Sequence, residues 1–113
     1  MGELLAMIRE FNEARDWGKF HTPKNLAMAL MVEAAELAEH FQWLTGEESC
    51  NLSQDKREKV ADEIADVLIY LLNLSDRLAI DPLAAARAKI GKNGERYPAE
   101  KVAGKALKYS DYE

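Results

Sequence analysis

The chain has 113 residues but only one cysteine and three prolines, and it lacks an apolar run long enough to cross a bilayer. Each scarcity excludes something. Cys50 alone cannot close an internal disulfide, so a reducing, cytoplasmic setting is expected, and the residue itself is given no role. The longest apolar run, residues 67–72, falls far short of the roughly 20 residues a membrane helix needs, so no membrane partner is expected. The opening MGELLAMIREF is amphipathic and carries acids, which does not fit a secretory leader. Positive charge is also in deficit, with 15 Lys and Arg against 20 Asp and Glu, a net charge of −5. That argues against a nucleic-acid polymer as partner, which a basic face would mark. A small anionic substrate stays open, provided a cation bridges the charges. Strand-type alternation is nearly absent. What remains is a single small helical domain whose core is modest for its surface.

Four helices are expected. The first covers about residues 3–14, with Leu4, Ile8 and Phe11 inward. Residues 15–21 (RDWGKFH) form an aromatic-rich loop. Thr22 followed by Pro23 is a cap-plus-proline start, and the helix it opens should run to about Thr45-Gly46. Residues 46–53 read as a polar connection ending in a cap at Ser53. The third helix then runs to about Ile80, and Asp81-Pro82 opens a fourth that stops near Gly91. The domain is expected over residues 1–98, with residues 99–113 a C-terminal tail, and the Gly-punctuated stretch from Gly91 onward is expected to be only partly ordered.

Against this background the acids stand out. Glu33 and Glu36 lie three apart in LMVEAAELAEHFQWL, and Glu63 and Asp66 lie three apart in VADEIADVLIYLLNL. Residues three apart share a helix face. In the second helix Leu26, Leu30, Glu33, Leu37, Phe41 and Leu44 follow three-four spacing, so Glu33 occupies a core-type position. Glu36 flanks that stripe together with Asn25, Ala29, His40 and Trp43. In the third helix Val60, Ile64, Val67, Leu71 and Leu78 define the expected stripe, with Glu63, Asp66 and Tyr70 beside it. Carboxylates beside apolar stripes are costly unless paired or bound to a cation. Four of them on two facing helices offer the oxygen ligands that magnesium prefers. A carboxylate-bridged di-iron or di-manganese redox site is the nearest alternative, but such bundles use Glu-x-x-His pairs. Here His40 lies four after Glu36, which suits a structural role, and the third helix has no histidine. A non-enzymatic helical interaction module would explain the amphipathic helices but not acids at core-type positions. The third helix is apolar around most of its circumference, so a second copy is expected to cover it: a four-helix bundle-like protomer in a homodimer or homotetramer.

These residues resemble the MazG-like all-α nucleoside triphosphate pyrophosphohydrolases, within them the dCTP pyrophosphatase branch. The paired motif stands as Glu33-x-x-Glu36 and Glu63-x-x-Asp66. The likeness extends through HTPKN, FQW and KxxxNxxRYP, over about residues 3–98. It implies hydrolysis of a nucleoside triphosphate, dCTP or another deoxynucleotide, to the monophosphate and pyrophosphate. It also implies Mg²⁺, with Mn²⁺ a substitute, on Glu33, Glu36, Glu63 and Asp66, and either Glu36 or Glu63 as general base. Lys89, Asn93, Arg96 and Tyr97 would grip the distal phosphates. Trp17, Phe20, His21 and Trp43 would meet the base by stacking, with edge hydrogen bonds from His21 or Asn25, and Tyr70 would lie between metal and sugar. Some relatives carry a polar residue where this chain has Ile8, a departure that argues against strict cytosine selectivity.

Overall fold

The computed structural model describes residues 1–104, and all regular structure among them is helical. In chain order the elements are α1 (Gly2–Ala14), a 3₁₀ turn (Gly18–Phe20), α2 (Pro23–Glu39), α3 (Gly46–Ser49), α4 (Gln54–Arg77), α5 (Pro82–Arg96) and α6 (Ala99–Val102). The chain divides into two compact units after Ala79. No helix of the described residues is long and apolar enough to cross a membrane. Residues 105–113, the greater part of the expected tail, lie outside the described residues.

The three helix starts expected from capping chemistry all form. Thr22 Oγ1 accepts from the Asn25 N–H at 3.2 Å, with Pro23 in the first turn. Ser53 Oγ accepts from the Lys56 N–H at 3.2 Å. Asp81 Oδ1 accepts from the N–H groups of Leu83 and Ala84 at 3.0 and 3.1 Å. Each satisfies backbone donors that a helix start leaves orphaned.

The helix ends differ from expectation. α2 stops at Glu39 rather than near Thr45, because the chain tightens: Phe41 N–H donates to Ala38 O, and Leu44 N–H to Phe41 O, both at 3.0 Å. The stretch expected as a plain connection holds α3. Its capping box joins Thr45 N–H to Glu48 Oε1 at 2.9 Å and Glu48 N–H to Thr45 Oγ1 at 3.1 Å. The Thr-x-x-Glu spacing that signals such a box was readable in TGEE. α5 does not stop near Gly91 but continues through Gly94 to Arg96. Two interior glycines cost about 1 kcal/mol each without breaking a helix, whereas Pro98 drives Tyr97 out of helical geometry, at φ −126° and ψ 69°.

In the first unit α2 packs along α4, and α1 packs against α4 over a shorter stretch. Ile8 of α1, Leu26 of α2 and Val60 and Leu72 of α4 form the buried apolar core. The stripe expected on α2 is turned inward: Leu30, Glu33, Leu37, Phe41 and Leu44 are all half-buried. The stripe expected on α4 is only partly so. Val60 is buried and Val67 half-buried, but Ile64, Leu71 and Leu78 are exposed, as is Leu68. A helix that meets two partners buries two flanks, and its apolar residues outnumber what those flanks can cover. α1 likewise turns Ile8 inward and leaves Phe11 about half exposed.

Candidate metal centre and adjoining cleft

The packing of α2 on α4 brings acids from both helices together. One oxygen each of Glu33, Glu36 and Glu63 lies within 4.8 Å of the other two, and all three residues are half-buried. Glu33 Oε2 and Glu63 Oε2 are buried without a hydrogen-bond partner. Buried carboxylate oxygens with nothing to accept from are strongly disfavoured. The Glu33 carboxyl is held above the usual carboxylate range, by burial first, then by its hydrogen bond with Glu36 and the charges of Glu36, Asp66 and Glu63. The Glu63 carboxyl is also raised, by burial and by the charges of Glu36 and Asp66, partly offset by His40. His40 Nε2 stands 3.9 Å from Glu63 Oε1. Orphaned hard oxygens on two members of one acidic cluster fit a divalent cation, which would offset the mutual repulsion of the carboxylates.

Asp66 sits apart from this trio. It is exposed and lines a neighbouring cleft of about 350 Å³ between α1, the aromatic loop and α4, while its charge still bears on Glu33 and Glu63. Trp17, His21, Tyr70 and Asn73 line the same cleft. Glu63, Asp66, Tyr70 and Asn73 follow three-four-three spacing, so they form a ladder along one face of α4. The ladder spans ten residues, roughly 15 Å of helix.

The aromatic loop is held in place from several sides. Trp17 meets Phe11 edge-on at 5.5 Å between centroids, and His21 edge-on at 6.3 Å. Arg77 Nε donates to His21 O at 2.8 Å, and Arg77 Nη2 donates to Gly18 O. Asn25 Nδ2 donates to Phe20 O at 2.9 Å, so its amide secures the loop and does not line the cleft. The His21 imidazole is held below its usual value, by burial first and then by the Arg77 charge. Trp43 is 87% exposed and lies outside the cleft lining. Lys89, Asn93 and Arg96 share one face of α5 at i, i+4 and i+7, and the Tyr97 N–H donates to Asn93 O at 2.8 Å. These four belong to the second unit.

Two polar residues of the cleft, Asn12 and Asn73, were not singled out as site residues from sequence. Asn12 Nδ2 donates to Asn73 Oδ1 at 2.8 Å. Asn73 had one visible signal, a polar residue within the apolar run of α4. Asn12 had none, because an asparagine near a helix end is ordinary.

The packing of α2 on α4 thus sets an acidic trio beside an aromatic cleft in an all-helical unit. The sequence profile of the MazG-like family matches residues 28–112, and the chain belongs to that family. It is 43% identical over 111 residues to dCTP pyrophosphatase 1 from Bos taurus and 42% identical to that from Homo sapiens, in each case over 96% of this chain. Those relatives are longer: the chain spans 66% and 65% of their lengths. A crystal structure of a pyrophosphatase from Archaeoglobus fulgidus superposes with a TM-score of 0.83 at 47% identity, covering 87% of this chain and 92% of that one.

Proposed function

We propose that the protein hydrolyses deoxynucleoside triphosphates, dCTP among the best, to the monophosphate and pyrophosphate. The observation that carries this reading is the pair of buried, unpartnered oxygens of Glu33 and Glu63 in a carboxylate cluster next to an aromatic cleft. The names of the relatives, dCTP pyrophosphatase and pyrophosphatase, point the same way. Glu33, Glu36 and Glu63 would hold the divalent metal, Mg²⁺ with Mn²⁺ as substitute, and Asp66, which lies outside the trio but whose charge bears on Glu33 and Glu63, would join them as the fourth ligand. When bound, the metal supplies Lewis-acid neutralisation of phosphate charge.

The chain's own groups do the rest. Glu36 or Glu63 would take the proton of the attacking water. Trp17 stacks on the base and His21 borders it. Tyr70, between Asp66 and Asn73 on the α4 ladder, lies against the sugar. A 2′-hydroxyl left without a partner there would cost roughly 1–3 kcal/mol, which favours deoxyribose. Lys89, Asn93, Arg96 and Tyr97 are assigned to the distal phosphates.

A second copy of the chain completes the arrangement in this reading. Ile64, Leu68 and Leu71 of α4 and Met28, Met31 and Val32 of α2 are exposed on the protomer, an apolar surface suited to a homodimer or homotetramer. Trp43 would then reach a base held by the neighbouring copy.

The test is a panel of nucleoside triphosphates with Mg²⁺ and product analysis. Monophosphate with pyrophosphate is expected. Diphosphate with orthophosphate would refute cleavage between the α- and β-phosphates, and equal rates on dCTP and CTP would remove the sugar preference.

A further inference from the structure

The cleft beside Asp66 is walled by Ile8, Phe11, Trp17 and Tyr70, yet its lining also holds an asparagine pair. Asn73 is only 8% exposed, and its side chain meets Asn12 from a helix 61 residues away in sequence. A polar pair in such surroundings is expensive unless its remaining hydrogen-bonding atoms have a use. The one bond between the two amides, Asn12 Nδ2 to Asn73 Oδ1, leaves Asn12 Oδ1 as an acceptor and Asn73 Nδ2 as a donor. We infer that Asn12 and Asn73 are the base-reading pair of this cleft, presenting an acceptor and a donor side by side to the amino group and ring nitrogen of a cytosine edge.

This rests on the proposed triphosphate hydrolysis and adds to it the residues that select the base. The placement is consistent along the chain: Asn73 lies seven residues beyond Asp66 on one face of α4, roughly 10 Å along the axis. Phosphates held near the carboxylates therefore leave the base at the asparagine end, with Tyr70 in between. Cytosine offers an amino donor beside a ring-nitrogen acceptor, matching the two free amide atoms in sense. Uracil offers a carbonyl beside an N–H, the opposite sense, and meets acceptor with acceptor and donor with donor. Ile8, in the same cleft, has nothing to contribute to this reading, so the polar discrimination falls to the asparagines.

The experiment compares dCTP with dUTP, which differ at this edge alone, in the full chain with Mg²⁺. The wild type should favour dCTP by about tenfold or more in kcat/KM, the scale of a paired amide–base contact. The double variant Asn12→Ala/Asn73→Ala removes both partners together and so leaves neither amide orphaned. It should lose about tenfold or more on dCTP, chiefly through KM, and bring the dCTP-to-dUTP ratio close to one. Asn73→Asp keeps an acceptor for the Asn12 amide but turns the donor into an acceptor, so the ratio should fall in that variant too. Circular dichroism verifies the fold of each, and Asn73→Asp carries the test if the double variant does not fold. A dCTP-to-dUTP ratio unchanged in the folded variants overturns the inference while hydrolysis to pyrophosphate stands. A wild type that prefers dUTP, or treats the two alike, overturns it as well. A wild type that hydrolyses no nucleoside triphosphate with metal present overturns both readings.

Discussion

Arg77 should tune substrate affinity without touching substrate. It closes α4 and donates to the carbonyls of Gly18 and His21, pinning the loop that carries Trp17 and His21 to the rim of the cleft. In Arg77→Ala both bonds vanish. Hydrogen bonds from a charged donor contribute about 1.5–3 kcal/mol when shielded, and this arginine is exposed, so about 1 kcal/mol apiece is the apt figure. Two such bonds hold the loop by about 2 kcal/mol. If their loss is felt in full as loop opening, nucleotide affinity falls by up to about 30-fold. The expected result is a KM for dCTP raised about 10- to 30-fold with kcat near its original value, since the carboxylates are untouched. Arg77→Lys should fall between, because one ammonium cannot reproduce the guanidinium fork. Gly18→Ala is the control. A Cβ there would meet Arg77 Nη2 at 3.9 Å, an ordinary contact, so this variant should behave as wild type. Limited proteolysis within residues 15–21 should accelerate in Arg77→Ala alone. An unchanged KM with the loop demonstrably cleaved faster would refute the link between loop and binding.

Glu63→Gln should fold, lose most turnover, and gain far less thermal stability from Mg²⁺ than the wild type, whose gain at 100 times Kd would be about 2.7 kcal/mol. Near-normal activity in that variant would defeat the assignment of the site. The Arg9–Asp76 pair, with bonds of 2.5 and 2.9 Å, holds the Asp76 carboxyl below its usual value, chiefly through the hydrogen bond itself. A depressed carboxyl stabilises the fold above its unfolded value of about 3.9 and loses that contribution as pH falls through its folded value. Asp76→Asn should therefore be less stable than wild type at pH 7, with the difference closing below about pH 4 in melts across pH. Ala79, at φ 54° just past α4, sits in the left-handed region that favours glycine, so Ala79→Gly should raise stability by about 1 kcal/mol in denaturant unfolding. Light scattering at micromolar concentration should report a dimer or tetramer, and a well-folded monomer would rule out the covering of α4 by a second copy.

The sequence by itself determined the helical class, the helix starts and the candidate ligands. Thr22-Pro23, Ser53 and Asp81-Pro82 act through backbone donors within three residues, so local chemistry suffices to read them. The same holds for Glu33 with Glu36 and Glu63 with Asp66, whose three-residue spacing fixes a shared face before any packing occurs. Helix ends were less legible because they depend on weaker balances: the tightened turn after Glu39, and the tolerance of α5 for Gly91 and Gly94 until Pro98 intervenes. Tertiary structure alone decided which face of α4 is covered, since its apolar residues encircle it and periodicity cannot choose among them. It decided that Glu33, Glu36 and Glu63 meet while Asp66 turns to the cleft. It also decided that Asn12 and Asn73 pair across 61 residues, that Asn25 is occupied by a loop carbonyl, and that Arg77 reaches back to Gly18 and His21. The physical reason is common to all of these. A side chain's neighbours along a helix follow from spacing, but its neighbours across helices follow from how two or three packed surfaces share a limited core.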